Sequence, residues 1–333
     1  MAASSLSPKA TTPTTPLAFG SYYKRRFRPY FTKKQLATID QLNEQSLRSS
    51  QSINTHASSC KFMQEVGKSL GFPQTTISTS QSLYHRFYLY YSPRTYSLLE
   101  VCITCLFVGS KIEETIKKLR DIYIVAHSVR NPKQQELDPE NISDDRLSKI
   151  IEYEKLLLEI LCYNFQIKHP YEYIVKFSRK IQEIQNINGK LLARKAYSLA
   201  IDSYRITLCL EYPAHTIAAG CLYLASKLWQ HEDESFKGLN QHSWDKVFLS
   251  RLEDIEDIGR KILDLYISRP SEFGPSNKYM QIKIQYNEEA SGRQDNRLDY
   301  QTKIDDKWEP NQLPSDVDLF NTNAHTVTYY FNQ

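Results

Sequence analysis

Between residues 54 and 128 apolar positions recur at helical spacing, and the interruptions fall where helices are expected to stop. Phe62, Val66 and Leu70 stand at i, i+4 and i+8, and Gly71 followed by Phe72-Pro73 closes that segment. A second helix is predicted to begin near Thr75 or Thr76, with Ile77, Leu83, Tyr84, Phe87 and Tyr88 as its buried stripe. Ser92-Pro93 is expected to open a third, proline being tolerated in a first turn, and the pattern runs on to Lys111. That third segment is apolar nearly all round, which suits the central helix of a bundle. A fourth is predicted from Thr115 to about Ser128 on Ile116, Leu119, Ile122 and Ile124. The polar run at 131–145 reads as a loop, and a fifth helix is predicted from Asp144 to Cys162 with Ser143 or Asp144 as its cap.

The second half repeats this plan with helical patterns at 171–185, 189–206, 213–229, a short one near 243–248, and 251–267. The third helix of each half follows a proline, Pro93 or Pro213, and closes alike: CLFVGSK at 105–111 and CLYLASK at 221–227, 116 positions apart. Each fifth helix ends in an aliphatic run and an aromatic, Tyr163 or Tyr266. A period of that length fits two compact helical domains better than a solenoid of short repeats. From the proline to the lysine is 18 positions in the first copy and 14 in the second, about one helical turn apart. The copies are therefore expected to share a fold without having to share a task.

The fold class that follows is all-α, with two tandem five-helix domains at 30–168 and 169–268 between disordered tails at 1–29 and 269–333. Within the second tail TVTYYF at 326–331 alternates and could add a strand to a partner.

Composition agrees with helices, since only 10 of 333 residues are glycine while 23 are tyrosine. The net charge of +4 conceals an asymmetry: residues 1–39 hold seven Lys or Arg and no acid, whereas 271–333 hold six basic and ten acidic residues. The basic arm suits a solvated segment, an import signal or a docking element. No apolar run is long enough to span a bilayer and the N-terminus lacks the apolar centre of a signal peptide, so a soluble protein that is not secreted is expected. The six cysteines all lie in apolar stretches and read as reduced core residues of an intracellular protein. Cys102 and Cys105 form a lone C-x-x-C with no second pair, which suits burial better than metal.

No nucleophile elbow, zinc-protease helix, phosphate-binding loop or dinucleotide fingerprint occurs, and the eight histidines are scattered. His85 and His127 read as structural residues on helices and His169 as a junction residue before Pro170. The chain offers no catalytic residue, no metal set and no cofactor site. Attention falls instead on the two lysines that close the repeated heptapeptide. A lysine in a last turn complements the helix dipole, worth a few tenths of a kcal/mol, and Lys227 needs no more than that. Lys111 differs in sharing a face with Val108 and Ile112, as Glu154 does with Leu158 on the fifth helix. A charge set in an apolar patch is what a partner surface offers when it must hydrogen-bond backbone while burying area.

With these residues in view, the sequence resembles the cyclins, whose box is a five-helix bundle present twice. CLFVGSKIEE at 105–114 looks like the family's third-helix signature, and EYEKLLLEILCYNFQIKHP at 152–170 like its fifth helix and linker. YHRFY at 84–88, FTKKQL at 31–36 and KKLRDIYIVAH at 117–127 are closer still to the transcriptional cyclins of the T and K type, and to the fungal members that serve the RNA polymerase II carboxy-terminal-domain kinase. The resemblance spans about residues 30–268 and is more specific in the first box.

What it implies is activation without catalysis. The chain would bind a cyclin-dependent kinase catalytic subunit through Val108, Lys111, Ile112, Glu114, Glu154, Leu158 and Tyr163. It would thereby promote phosphorylation of the polymerase tail, transcription elongation and coupled mRNA processing in the nucleus, with the cytoplasm left open. A third regulatory subunit is implied by analogy. No membrane and no direct nucleic-acid partner is expected. The alternative on the same fold is a promoter-binding protein like transcription factor IIB, but residues 171–268 show no excess of Lys and Arg over Asp and Glu, and no zinc ribbon precedes the boxes. The first helix lacks the motif of the substrate-docking groove of cell-cycle cyclins.

Overall fold

The computed structural model describes residues 29–42, 50–133, 137, 142–233, 236, 238–239 and 247–291, and among these every regular element is a helix. The first bundle is built from α2 (Ser50–Ser69), α3 (Gln74–Tyr90), α4 (Leu98–Ile112), α5 (Leu119–Arg130) and α6 (Asp144–Ile160), preceded by α1 (Lys33–Leu42). As its all-round apolar sequence requires, α4 sits in the middle, packed on α2, α3, α5 and α6. A Cβ at Gly109 would fall 2.1 Å from Ser80 Oγ, so α3 and α4 approach this closely only because that position carries no side chain. Met63, Val66, Leu83, Tyr84, Phe87, Leu106, Ile122, Ile150 and Leu157 fill the core. Each fully buried aliphatic there contributes about 1.5–3 kcal/mol of transfer free energy.

Three boundaries differ from the sequence pattern. Pro93 lies in a turn, and α4 starts at Leu98 behind Ser97. That turn accounts for the extra residues between proline and lysine in the first copy. Lys111 and Lys227 are then both the fourteenth residue of their helices, counted from Leu98 and Ala214. Next, α5 begins at Leu119 rather than Thr115. The Thr115 N–H donates to Ser110 O at 2.8 Å and Glu114 turns left-handed at φ 54°, which leaves 115–118 outside any helix. Ile116, placed by its spacing in a buried stripe, is instead 71% exposed. Finally, α6 stops at Ile160, after which Cys162 and Tyr163 both take positive φ.

The second bundle comprises α7 (Tyr171–Gln185), α8 (Gly189–Ser203), the single turn α9 (Leu208–Glu211), α10 (Ala214–Glu232) and α11 (Leu252–Ser268). The helix expected at 189–206 ends at Ser203, and of the short one expected near 243–248 only Val247 and Phe248 fall within the described residues, Phe248 fully buried. Ile174, Leu192, Leu199, Leu222, Ile258 and Ile262 form the core.

Ordered structure does not end at residue 268. It continues as α12 (Pro270–Phe273) and α13 (Ser276–Ser291), and α13 packs on α11 and α10. Its contact residues Tyr279, Ile282 and Tyr286 stand at i, i+3 and i+7, one helical face. Met280 and Ile284, both exposed, make the apolar positions alternate at 280, 282, 284 and 286, which masks the helical spacing in the sequence. Of the basic arm expected at 1–29 only Pro29 falls within the described residues, and TVTYYF at 326–331 lies outside them.

The two bundles meet through a largely polar seam. His85 Nε2 bonds Tyr204 O at 2.8 Å, Ser78 Oγ and Tyr171 Oη lie 2.6 Å apart, and Arg269 donates to Ser58 Oγ at 2.6 Å. The N-terminal segment straps both: Arg86 donates to Pro29 O at 2.6 Å, Phe31 N–H to Leu210 O at 2.8 Å, and Lys33 pairs with Asp257 at 2.7 Å. Phe31 and Leu36 cluster with Leu89 of α3 and Leu210 of α9.

Candidate functional site

The repeated heptapeptide builds the same local device twice. Ser110 Oγ donates to Phe107 O at 2.7 Å, and Ser226 Oγ to Tyr223 O at 2.7 Å. Lys111 Nζ lies 3.9 Å from the centroid of the Phe107 ring, and Lys227 Nζ 5.5 Å from that of Tyr223. In each copy an aromatic one turn back supports the ammonium through its ring face.

Beyond that device the copies part. Lys111 reaches Glu154 Oε1 of α6 at 2.7 Å, with 41% of its side chain exposed. The ammonium has three donors and the carboxylate four acceptor positions, so one mutual bond leaves both with capacity for an incoming partner. Lys227, expected to do no more than end a helix, is corrected on two counts. Its helix continues to Glu232, and its side chain is only 4% exposed where it pairs with Glu289 of α13 at 2.7 Å. The dipole reading fails because α10 is longer than α4 and because α13 could not be foreseen.

Ile151, Glu154 and Leu158 of α6 lie at i, i+3 and i+7 and share one face; Ile151 is exposed and Leu158 half-buried. Tyr163 follows at 66% exposure, its ring held out by two successive left-handed residues, and Phe165 is exposed two residues on. Among the described residues five non-glycine positions have positive φ, and three of them, Glu114, Cys162 and Tyr163, directly follow α4 or α6, the helices that carry the pair. Such backbone costs about 1–3 kcal/mol per residue and clusters at binding surfaces.

Of the residues singled out from the sequence, Lys111, Glu114, Glu154, Leu158 and Tyr163 are wholly or partly accessible, and Ile112 is half-buried against the core. Val108 is 1% exposed and belongs to the first core, so it supports the face from beneath and cannot touch a partner. The i−3 spacing from Lys111 was right, but in a helix packed on several sides that spacing does not decide between core and surface. Ile116, Ile151 and Phe165 were missed as surface residues; their signal was a large apolar residue flanked by charge or by a helix end.

Behind this face Glu113 joins it to the seam. Its carboxylate accepts from Thr79 Oγ1 at 2.6 Å and lies 3.8 Å from His169 Nε2, while His169 Nδ1 is 2.7 Å from Tyr204 Oη. The neighbouring His169 ring, with the Thr79 hydroxyl set between the two at 2.9 Å from Nε2, holds the Glu113 carboxyl below its usual range against the opposing effect of burial. His169, read as a junction residue, thus tethers both bundles.

Burial pushes the thiols of Cys60, Cys102 and Cys105 well up, which makes them inert core groups. No group of three or more His, Cys, Asp or Glu that could hold a metal occurs among the described residues. Among them, too, no helix is long and apolar enough to cross a membrane.

Comparison with known proteins places the face in a family context. Residues 28–166 match the family described as the cyclin N-terminal domain. The CTD kinase subunit beta of Schizosaccharomyces pombe is 29% identical over 265 residues, covering 78% of this chain and 73% of that protein. Human Cyclin-K is 30% identical over 241 residues, covering 71% of this chain but 40% of its own length. The chain therefore spans well under half of some of the relatives it matches. Among solved structures, a chain of the yeast RNA Pol II CTD kinase CTDK-1 complex superposes with a TM-score of 0.64 at 21% identity, over 79% of this chain and 86% of that one, a likeness of fold.

Proposed function

Because the chain carries a cyclin N-terminal domain over its first bundle, we propose that it is the non-catalytic regulatory subunit of a cyclin-dependent kinase. The kinase would phosphorylate the carboxy-terminal domain of RNA polymerase II in the nucleus, in support of elongation and coupled mRNA processing. A third subunit would complete the assembly. Names of relatives such as the CTD kinase subunit beta support this reading. The observation that carries it is the Lys111–Glu154 pair, with the lysine side chain 41% and the glutamate 15% exposed, accompanied by exposed Ile116, Tyr163 and Phe165.

In this reading Lys111 and Glu154 offer donors and acceptors to backbone of the kinase's mobile αC helix, while Ile112, Leu158 and Tyr163 supply apolar area and Glu114 a flanking charge. Protein kinases are active only when a strand lysine and an αC glutamate are paired. A surface that binds the inward position of that helix better than the outward one shifts the equilibrium by the difference in affinity. The reading assigns the face to a first domain at 30–168 and leaves 169–268 as the second.

The test is reconstitution. Recombinant chain and its cognate kinase should co-purify, and phosphorylation of a peptide of polymerase-tail repeats should rise at least tenfold on addition of the chain. A kinase equally active alone would overturn the proposal.

A further inference from the structure

The repeat allows the two fifth helices to be placed in register by their buried residues. Ile150, Leu157, Ile160 and Leu161 of the first have the spacing of Ile255, Ile262, Leu265 and Tyr266 of the second, and all eight are buried. In that register the strip Ile151, Glu154, Leu158 corresponds to Glu256, Gly259, Leu263. The first strip is open or half-open, and the second is entirely buried.

Helix α13 lies against that second strip. A Cβ built on Gly259 would stand 2.8 Å from the Tyr286 ring, so the ring occupies the space that the Glu154 side chain takes in the first copy. Gly259 has no carboxylate to offer the repeated lysine. Glu289, three residues beyond Tyr286, supplies one instead, at 2.7 Å from Lys227, the same separation as Glu154 from Lys111. Lys278 with Glu232 and Lys283 with Asp264 hold the helix along its length.

We propose that helix 276–291 is a resident ligand, in cis, of the second bundle, closing to outside partners the face that the first bundle leaves open. The inference rests on the reading of the Lys111–Glu154 strip as a partner face. It explains why a protein with two copies of one device presents only one of them. The occupant is defined by its chemistry: an amphipathic helix with Tyr279, Ile282 and Tyr286 on one side and a carboxylate placed to reach Lys227.

The test is competition on the full chain, using a capped synthetic peptide of residues 276–291 with a fluorescent label. The wild-type chain should bind it at least tenfold more weakly than a Tyr286→Ala, Glu289→Lys chain, whose own helix no longer holds the face. Glu289→Lys alone, which sets a lysine against Lys227 without leaving a cavity, serves as the helix-released chain if the double variant does not fold, and restoring the pair in cis with opposite charges, Lys227→Glu and Glu289→Lys, should exclude the wild-type peptide again. Equal binding by wild-type and helix-released chains, or no binding by either, would overturn the proposal. No kinase is present in this assay, so its failure removes the occupancy claim alone, whereas kinase capture that survives Lys111 variants removes the reading of the first face alone.

Discussion

Lys111 and Lys227 occupy the same position of equivalent helices, each above the ring of an aromatic one turn back, yet the side chain of the first is 41% exposed and that of the second 4%. The difference comes from the partner carboxylate. Glu154 belongs to the neighbouring helix of the same bundle and leaves its lysine open, whereas Glu289 arrives on an added helix that covers Lys227.

The two lysines should therefore separate in stability. Lys227→Met is expected to cost about 1–3 kcal/mol, the range for losing a buried charged hydrogen bond. Lys111→Met should cost under about 1 kcal/mol, as for an exposed pair. Urea unfolding followed by circular dichroism reads both, and the reverse order would contradict the assignment of the open and closed faces.

Gly259→Ala should destabilise the chain although alanine is the better helix former. The propensity gain is about 1 kcal/mol, but the methyl group meets the Tyr286 ring at 2.8 Å, and overpacking of this kind costs about 1–3 kcal/mol. A rise in the urea midpoint would mean that α13 yields freely at this point.

Tyr286 is buried, and its hydroxyl meets no hydrogen-bond partner among the described residues. Tyr286→Phe should accordingly be neutral or stabilising by up to about 1 kcal/mol, while Tyr286→Ala should cost about 3–5 kcal/mol through the cavity it leaves. Thermal unfolding of the two variants checks the contrast; a strongly destabilised phenylalanine variant would reveal a partner for the hydroxyl.

Acid should loosen the fold well above the carboxylate range. Burial lowers His56 to about 3 and His85 to about 4. Both are held neutral in the native state, so the unfolded chain takes up protons first as pH falls below about 6.5. Stability is fully present above that pH and declines toward the folded values. Asp254, pushed up to about 6 by burial, works in the opposite sense and offsets part of the loss. The net expectation is a decrease of about 3 kcal/mol between pH 7 and pH 5, read from urea midpoints, and smaller in His56→Gln. A flat profile would contradict the buried neutral state.

Both bundles were legible in the sequence because their helices are amphipathic or wholly apolar and end at Gly, Pro or polar runs, signals that act locally. Lys111 and Glu154 stood out for the same reason, since each sits beside an apolar residue on its own helix, and the structure brings the two side chains together at 2.7 Å. What was not legible depended on tertiary placement. Val108 and Ile112 share a helical neighbourhood with Lys111, but only the packing on α4 shows that Val108 faces the core. Ile116 lost its helix to the Ser110–Thr115 hydrogen bond. Helix α13 went unseen because exposed Met280 and Ile284 interleave with Tyr279, Ile282 and Tyr286 and obscure the helical period.

The central claim, that Lys111 and Glu154 face a kinase and do not merely brace the fold, is tested most directly by exchanging their charges. Lys111→Glu and Glu154→Lys are each expected to reduce capture of the cognate kinase at least tenfold, and the double variant, which rebuilds the internal ion pair in reverse, should unfold like wild type yet still fail to capture the kinase. Full recovery of kinase capture in the double variant would contradict the claim, because it would show that the two residues matter only to each other.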